Sequence, residues 1–113
     1  MATILEETIN FIPSATMGLL EDTTFKATII SSINSSLQTL HQNAVGNPVD
    51  LTDNENLTWH DFLGSKYNPF AKQFVYLRAM IEFDPPAQTT LKTIEGLIDE
   101  NLFRARVESE VSL

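Results

Sequence analysis

The sequence predicts an all-α fold, a small helical bundle of four to five helices with a long acidic loop and an extended C-terminal tail. Apolar residues recur every three or four positions along most of the 113 residues, which is the period of an amphipathic helix. Prolines and glycines interrupt this spacing at intervals that suit short helices. With 42% apolar residues the chain supports one core, so we expect a helical domain over residues 1–106 and a tail over residues 107–113.

The N-terminal half of the chain predicts two helices. The first covers Thr3 to Ile12 and stops there because Pro13 opposes its continuation. The second covers Thr24 to Ala44, where serines and asparagines separate the apolar positions, so this helix depends on packing more than on helix propensity. Gly46 is the expected C-terminal cap, and Pro48 prevents the helix from resuming.

Turn-forming and acidic residues follow the second helix. They predict an exposed loop or a short β-hairpin from Gly46 to Thr58. Its carboxylates belong to Asp50, Asp53 and Glu55. Their spacing does not fit a calcium-binding EF-hand loop, and the central glycine of that loop is missing, so a solvated acidic loop is favoured over a metal site.

The next two helices are predicted from their caps. Thr58 is placed to cap a helix of one or two turns, which Gly64 closes. Asn68 and Pro69 form a favourable start for the following helix, and the proline pair that begins at Pro85 ends it.

This fourth helix carries more apolar surface than one buried stripe requires. The stripe that we expect to face the core consists of Phe70, Phe74, Leu77 and Ile81. Val75, Tyr76 and Met80 lie beside it and widen the apolar surface to more than half of the helix circumference. The helical pattern alone shows this surplus and assigns it no partner.

The last predicted helix runs from about Thr89 to Arg106. Beyond it, residues 107–113 alternate apolar and polar side chains as a strand does. We expect an extended tail. Arg104 and Arg106 precede this tail, where cations either complement the helix dipole or serve an interface.

No group of residues predicts catalysis. His41 and His60 lack the spacing of a metal-binding motif, no glycine-rich phosphate loop is present, and no serine lies in a nucleophile motif. The chain has no cysteine, which excludes disulfides and thiolate metal sites. We expect no enzyme activity, no metal and no cofactor.

The charge and hydropathy of the chain exclude two further classes of protein. A formal net charge of −8 argues against proteins that grip DNA by neutralising its phosphates. The N-terminus lacks the basic start and continuous apolar run of a signal peptide, and no stretch approaches the roughly 20 apolar residues of a membrane span. We expect a soluble cytoplasmic product without membrane contact.

Three strings of the sequence resemble a known family. They are SSINSSLQTLHQNAVG, TWHDFLG and KQFVYLRAMIEFDPPAQTTLKTIEGLIDENLFR. Together they resemble the small head-tail connector proteins of long-tailed bacteriophages, which are also called adaptor or head-completion proteins. The resemblance covers about Ile29 to Arg106, and the Phe-Asp-Pro-Pro closure at residues 83–86 is its most specific part. This chain has Phe103 near a position where relatives often carry a tryptophan.

The resemblance implies a structural protein of the virion, made in the cytoplasm of the host bacterium and located at the head-tail interface. It implies a twelvefold ring beneath the portal protein. This ring extends the DNA channel, lets DNA pass without specific binding, and provides a docking surface for a tail-side neck or stopper protein.

The resemblance also implies functions for particular residues. Since a ring subunit needs faces for its neighbours as well as a core, Val75, Tyr76 and Met80 are the candidates for contact between subunits. The C-terminal segment is expected to bind the portal, and the matching positions with their preceding arginines are Arg104, Arg106, Val107, Glu108, Val111 and Leu113. The candidates for neck contact or for the channel lumen are the loop residues Asp50, Asp53 and Glu55.

A second hypothesis is a small acidic helical binding or regulatory protein, either a partner inhibitor or a nucleic-acid mimic. Small size and negative charge suit this class. However, mimicry requires carboxylates regularly spaced on one surface, and the carboxylates of this sequence are scattered.

Overall fold

The computed structural model describes residues 2–12, 23–83 and 85–111, and these residues form five helices. The helices are α1 (Ile4–Phe11), α2 (Thr23–Gln42), α3 (Trp59–Leu63), α4 (Pro69–Phe83) and α5 (Gln88–Val111). Within the described ranges no residue is in a strand, so the segment between α2 and α3 is a loop rather than a hairpin. The predicted all-α bundle is confirmed.

Helix α4 lies at the centre of the bundle. It makes its most extensive contacts with α5 and further contacts with α2 and α1, whereas α2 and α5 touch each other only a little. The extents of the fold are 40 × 36 × 21 Å, and the shortest is about two helix diameters. The apolar surplus of α4 is therefore used inside the chain, because this helix has neighbours on several sides.

Helices α1 and α3 both begin with a capping box. At α3 the backbone N–H of Asp61 donates to the Thr58 hydroxyl, and the backbone N–H of Thr58 donates to Asp61 Oδ2 at 2.8 Å. Thr3 and Glu6 form the same pair at the start of α1, where Thr3 N–H donates to Glu6 Oε1 at 3.0 Å. Each box satisfies backbone donors that the first turn leaves without a partner.

The end of α2 differs from the sequence-based prediction. The N–H of Val45 donates to the carbonyl of Leu40 and the N–H of Ala44 donates to that of His41, which is the Schellman arrangement. The left-handed residue that it requires is Ala44, with φ of 64°. The prediction that Gly46 caps α2 is wrong, because Gly46 lies two residues further along the chain.

Gly46 is required for close packing instead. Its φ is +80°, and a Cβ built on it would lie 2.4 Å from Cζ of Phe62. Phe62 is fully buried, and its carbonyl accepts a hydrogen bond from the N–H of Asn47 at 2.8 Å. The loop that leaves α2 is thus held directly against α3.

Helix α5 is longer than predicted. It continues through Val107 to Val111, so the expectation of an extended tail is wrong for residues 107–111. No proline or glycine follows Arg106 to stop the helix, and the spacing of Val107 and Val111 by four residues suits a helix face as well as a strand. The predicted domain boundary after residue 106 falls inside α5, and residues 112–113 lie outside the described residues.

The core draws on every helix, including α1. Thr8 is fully buried together with the apolar side of α1, and its hydroxyl donates to the carbonyl of Ile4. The N–H of Ile4 in turn donates to the carbonyl of Leu57 at 2.9 Å, which joins α1 to the end of the loop. Among the described residues, no helix is long and apolar enough to cross a membrane.

Candidate interaction surface

Tyr76, predicted to contact a neighbouring subunit, lies in the core of this chain. Its hydroxyl accepts a hydrogen bond from Nε1 of Trp59 at 3.0 Å and donates one to Oε2 of Glu7 at 3.2 Å. The ring of Phe11 stacks on it at 5.2 Å between centroids. Burial and the nearby Glu7 carboxylate raise the pKa of Tyr76, so it remains neutral and its hydroxyl can donate. These contacts fasten α1 to α4.

The other two candidates on α4 also offer little free surface. Val75 is fully buried, and Met80 is partly buried against the core. Helical spacing placed Val75 and Tyr76 outside the central stripe, but both are buried within the chain, and Phe11 and Glu7 of α1 contact Tyr76. The proposal that they meet a neighbouring subunit therefore loses its basis in this structure, and only Met80 keeps a partly exposed side chain.

The acidic loop is tied to α2 rather than free in solvent. Asp50 Oδ1 accepts hydrogen bonds from Nδ2 of Asn34 at 2.9 Å and from the N–H of Thr52 at 2.8 Å. Asn34 Oδ1 also accepts from the N–H of Leu51 at 2.8 Å. Asn34 thus organises the loop, a role that sequence reasoning missed because a polar residue on an amphipathic helix is usually solvated.

Two further carboxylates of the loop have different surroundings. Glu55 forms an ion pair with Nζ of Lys26 at 2.6 Å, which binds the far side of the loop to α2. Asp53 is exposed and forms no ion pair within the described part of the chain. Of the three loop candidates, Asp53 has the carboxylate most available to a partner.

An open groove separates the exposed side of α2 from this loop. It has a volume of about 410 Å³. Its apolar lining comes from Leu37, Pro48 and Val49, and its carboxylates come from Asp50 and Asp53. We name this feature the acidic groove.

The C-terminal half of α5 carries the predicted portal-binding residues. Arg104 donates to Oε1 of Glu100 through Nε at 3.1 Å and Nη2 at 2.8 Å, and its guanidinium lies 5.8 Å from the ring centroid of Phe70. Arg106 is exposed, and Val107 is 41% exposed. Glu108 is partly buried, Val111 belongs to the helix, and Leu113 lies outside the described residues.

Large apolar side chains are exposed at this same end of the bundle. Phe103 is 62% exposed and Tyr67 is 74% exposed. On a helical wheel Phe103 and Val107 lie opposite the buried residues Ile98 and Ala105. The helical periodicity of α5 indicates that Phe103 is exposed, yet the sequence analysis did not select Phe103 or Tyr67 as surface residues for a partner.

Two hydrogen bonds fix the position of this surface. Nδ2 of Asn68 donates to the carbonyl of Ala105 at 3.0 Å, which holds the start of α4 against α5. The hydroxyl of Ser109 donates to the carbonyl of Ala44 at 2.9 Å, which holds the end of α5 against the turn after α2. The start of α4, the end of α5 and the end of α2 therefore meet at one end of the bundle.

The titratable residues His41, Glu6 and Asp61 form hydrogen bonds that stabilise local structure. Nδ1 of His41 is 3.0 Å from the carbonyl of Gly46, so this nitrogen carries the proton. The capping contacts with Thr3 and Thr58 lower the pKa of Glu6 and Asp61, respectively. Among the described residues, no group of three or more histidine, aspartate or glutamate side chains is arranged to hold a metal ion.

Comparison with protein families places most of the chain in a known family. A family model described as phage connector protein matches residues 16–112, which is most of the chain and leaves out α1. Among the curated proteins and the solved structures, no match to this chain was found.

Proposed function

Because the chain belongs to the phage connector protein family, we propose that it is a structural protein of the virion, located at the head-tail interface. In this function it forms a ring under the portal, extends the DNA channel and presents a docking surface to the neck or tail. The family assignment carries the proposal. It needs no catalytic group, metal or cofactor.

The charge of the chain supports passage of DNA through such a ring. Each copy carries a formal charge of −8, so a ring lumen lined by carboxylates repels DNA phosphates instead of gripping them. Asp53 is the loop residue best suited to the lumen or to neck contact, because Asp50 and Glu55 already have partners within the chain. DNA then moves without specific binding.

We further propose that the end of α5 contacts the portal. The last turn of α5 has Val107 and Glu110 exposed, and the hydroxyl of Ser109 donates to the carbonyl of Ala44 in the turn after α2. A helix face with exposed side chains is suited to docking on another ring. Removal of residues 107–113 should leave the helical circular dichroism and the fold intact, while binding to portal rings is lost.

Electron microscopy of the purified chain mixed with purified portal rings of the same virus tests the proposal. A second ring stacked on the portal is the expected result. Portal rings that remain bare at saturating concentrations of the chain would contradict it. Binding of the truncated chain at full strength would show that residues 107–113 are not needed for portal binding, while the proposed ring would stand.

The alternative of a nucleic-acid mimic is not favoured by the positions of the carboxylates. Glu6 and Asp61 belong to capping boxes, Glu7 accepts from Tyr76, and Asp50 and Glu55 bind within the loop region. These five carboxylates lie on different elements and bind groups of the chain itself, so they do not form the regular row of free carboxylates that mimicry requires.

A further inference from the structure

The acidic groove is enclosed by one face of α2 and by the loop that follows this helix. Asn34, Leu37 and His41 recur along α2 at intervals of three and four residues, so they lie on one helix face. Asn34 holds the loop to that face through its hydrogen bonds with Asp50 and Leu51. The walls of the groove are therefore positioned by hydrogen bonds within the chain, which lowers the entropy cost of binding there.

Asp50 and Asp53, the carboxylates of the groove, form no ion pair within the described residues. The surrounding sequence explains this, because residues 27–65 contain four acids and no lysine or arginine. Asp50 accepts hydrogen bonds from the neutral groups of Asn34 and Thr52, which leave its charge in place. The two carboxylates therefore give the groove a negative charge that the chain itself does not neutralise.

The remainder of α2 makes the groove more favourable for a cation. Lys26 on this helix is paired with Glu55 at 2.6 Å. Arg78 of α4 donates to the hydroxyl of Thr39, which lies on a different face of α2. His41 is in the last turn, where the helix dipole is negative, and its Nδ1 proton is donated to a carbonyl, so Nε2 is left as an acceptor. A positively charged group is thus stabilised in the groove.

The apolar part of the lining favours a protein partner over the DNA channel. Leu37 is buried, Val49 is half-buried against the core, and Pro48 is exposed. A channel lumen needs carboxylates that repel phosphate, and apolar side chains add nothing to this repulsion. Lysine and arginine combine an apolar stem with a charged head, so one such side chain matches both parts of the groove. The volume of about 410 Å³ lies in the range of roughly 300–1,000 Å³ that is typical of binding pockets.

We propose that the acidic groove binds a lysine or arginine side chain from a segment of the tail-side neck protein. This inference rests on the proposed function and decides between the two positions that it leaves open for Asp53, the channel lumen and neck contact. Asp53, the exposed carboxylate, binds the charged head of the partner residue, while Leu37 and Val49 contact its apolar stem. A second copy of this chain is a less suitable occupant, because it also carries −8 and is repelled by the groove.

Reversal of one charge in the groove tests the inference. Rings of this chain assembled on portal rings of the same virus are mixed with its purified neck protein, and binding is measured by biolayer interferometry. Asp53→Lys should weaken this binding about tenfold or more, and added salt should weaken binding by the wild type more than by this variant. Val49→Thr, which has a similar shape and adds a hydroxyl to the apolar lining, should weaken binding about threefold or more.

Glu82→Lys is the matched control, because it makes the same charge change at an exposed acid far from the groove. Glu82 precedes Phe83, whose ring contacts that of Phe25 at the start of α2, whereas the groove lies along the second half of α2. This variant should bind the neck protein as the wild type does. Circular dichroism should show that every variant is folded.

Two results would overturn the inference. Neck binding of Asp53→Lys at the wild-type level would exclude the groove as the neck site, and retention of double-stranded DNA by the same ring would then assign Asp53 to the channel lumen. Failure of Asp53→Lys to assemble into rings would assign the groove to a second copy of the chain. A wild-type chain that forms no ring on the portal would instead contradict the proposed function.

Discussion

Replacement of Gly46 by alanine tests the packing between the end of α2 and α3. The added Cβ would lie 2.4, 2.6 and 2.7 Å from three ring carbons of Phe62. Favourable contact between carbon atoms occurs at about 3.5–4.0 Å, so the overlap exceeds roughly 1 Å. Phe62 has no exposed surface, and its ring is packed beside that of Trp59 at 6.0 Å between centroids, so it has no open direction in which to move.

The expected loss in the free energy of unfolding of Gly46→Ala has two contributions. Overpacking of a filled core costs about 1–3 kcal/mol. A φ of +80° adds about 1–2 kcal/mol for a residue with a Cβ. The sum of about 2–5 kcal/mol is a large share of the roughly 5–15 kcal/mol that stabilises a typical small domain.

Urea unfolding followed by tryptophan fluorescence measures this loss, because Trp59 is the only tryptophan and lies beside Phe62. Two other glycines serve as controls. Gly64 has φ of +70° with nothing within 4 Å of a built Cβ, so Gly64→Ala reports backbone strain without overlap. Gly96 is exposed within α5 and also has free space, so Gly96→Ala should stabilise the chain by up to about 1 kcal/mol.

The free energies of unfolding of Gly46→Ala and Gly64→Ala separate overlap with Phe62 from backbone strain. Gly46→Ala should lower the free energy of unfolding by more than the roughly 1–2 kcal/mol that backbone strain alone costs, and Gly64→Ala, at φ of 70° and ψ of −142°, gives the cost of strain without overlap. A loss for Gly46→Ala below about 1 kcal/mol would show that the ring moves aside freely, which would refute the proposed tight packing at Gly46.

Three further substitutions have expected outcomes. Ala44→Gly should raise the free energy of unfolding by about 1 kcal/mol in urea titrations, because φ of 64° disfavours alanine; an unchanged midpoint would contradict this. Tyr76→Phe should lower it by about 1–3 kcal/mol, because the indole N–H of Trp59 loses its buried acceptor; a loss confined to ring assembly would contradict a core role. The contacts with Thr58 lower the pKa of Asp61 in the folded chain below its ordinary value of 3.8. The charged carboxylate therefore stabilises the fold above pH 3.8, and this stabilisation is lost as the pH falls through the lowered pKa of the folded state. Asp61→Asn should therefore weaken the fold at neutral pH and flatten the loss of stability below pH 3.8, as thermal unfolding across pH would show; an unaltered acid profile would oppose it.

Local chemistry made the helix starts predictable from sequence. Thr58 is followed by an acid three residues later, and Asn68 precedes a proline, and both helices begin there in the structure. These signals work because the partners lie within one turn of each other along the chain. The end of α4 before the proline pair is predictable for the same reason.

Features that depend on distant parts of the chain were not predictable. Tyr76 was taken for surface because no periodic pattern shows that α1, about 70 positions earlier, supplies Phe11 and Glu7 to cover it. The candidate groove on α2 likewise depends on the way in which Asn34 positions the loop. Gly46 was taken as a helix cap because a nearby glycine usually is one, whereas its true restriction comes from Phe62.

Asn68 links two helices through one buried side chain. Its Oδ1 accepts from the N–H of Ala71 at 3.2 Å in the first turn of α4, while its Nδ2 donates to the carbonyl of Ala105 on α5. A slide of α5 by one turn, about 5.4 Å along its axis, would carry that carbonyl out of reach and leave a buried amide without its acceptor. Any load applied to the end of α5 is therefore transmitted to the first turn of α4 as a rigid displacement of both helices, rather than dissipated by slippage between them.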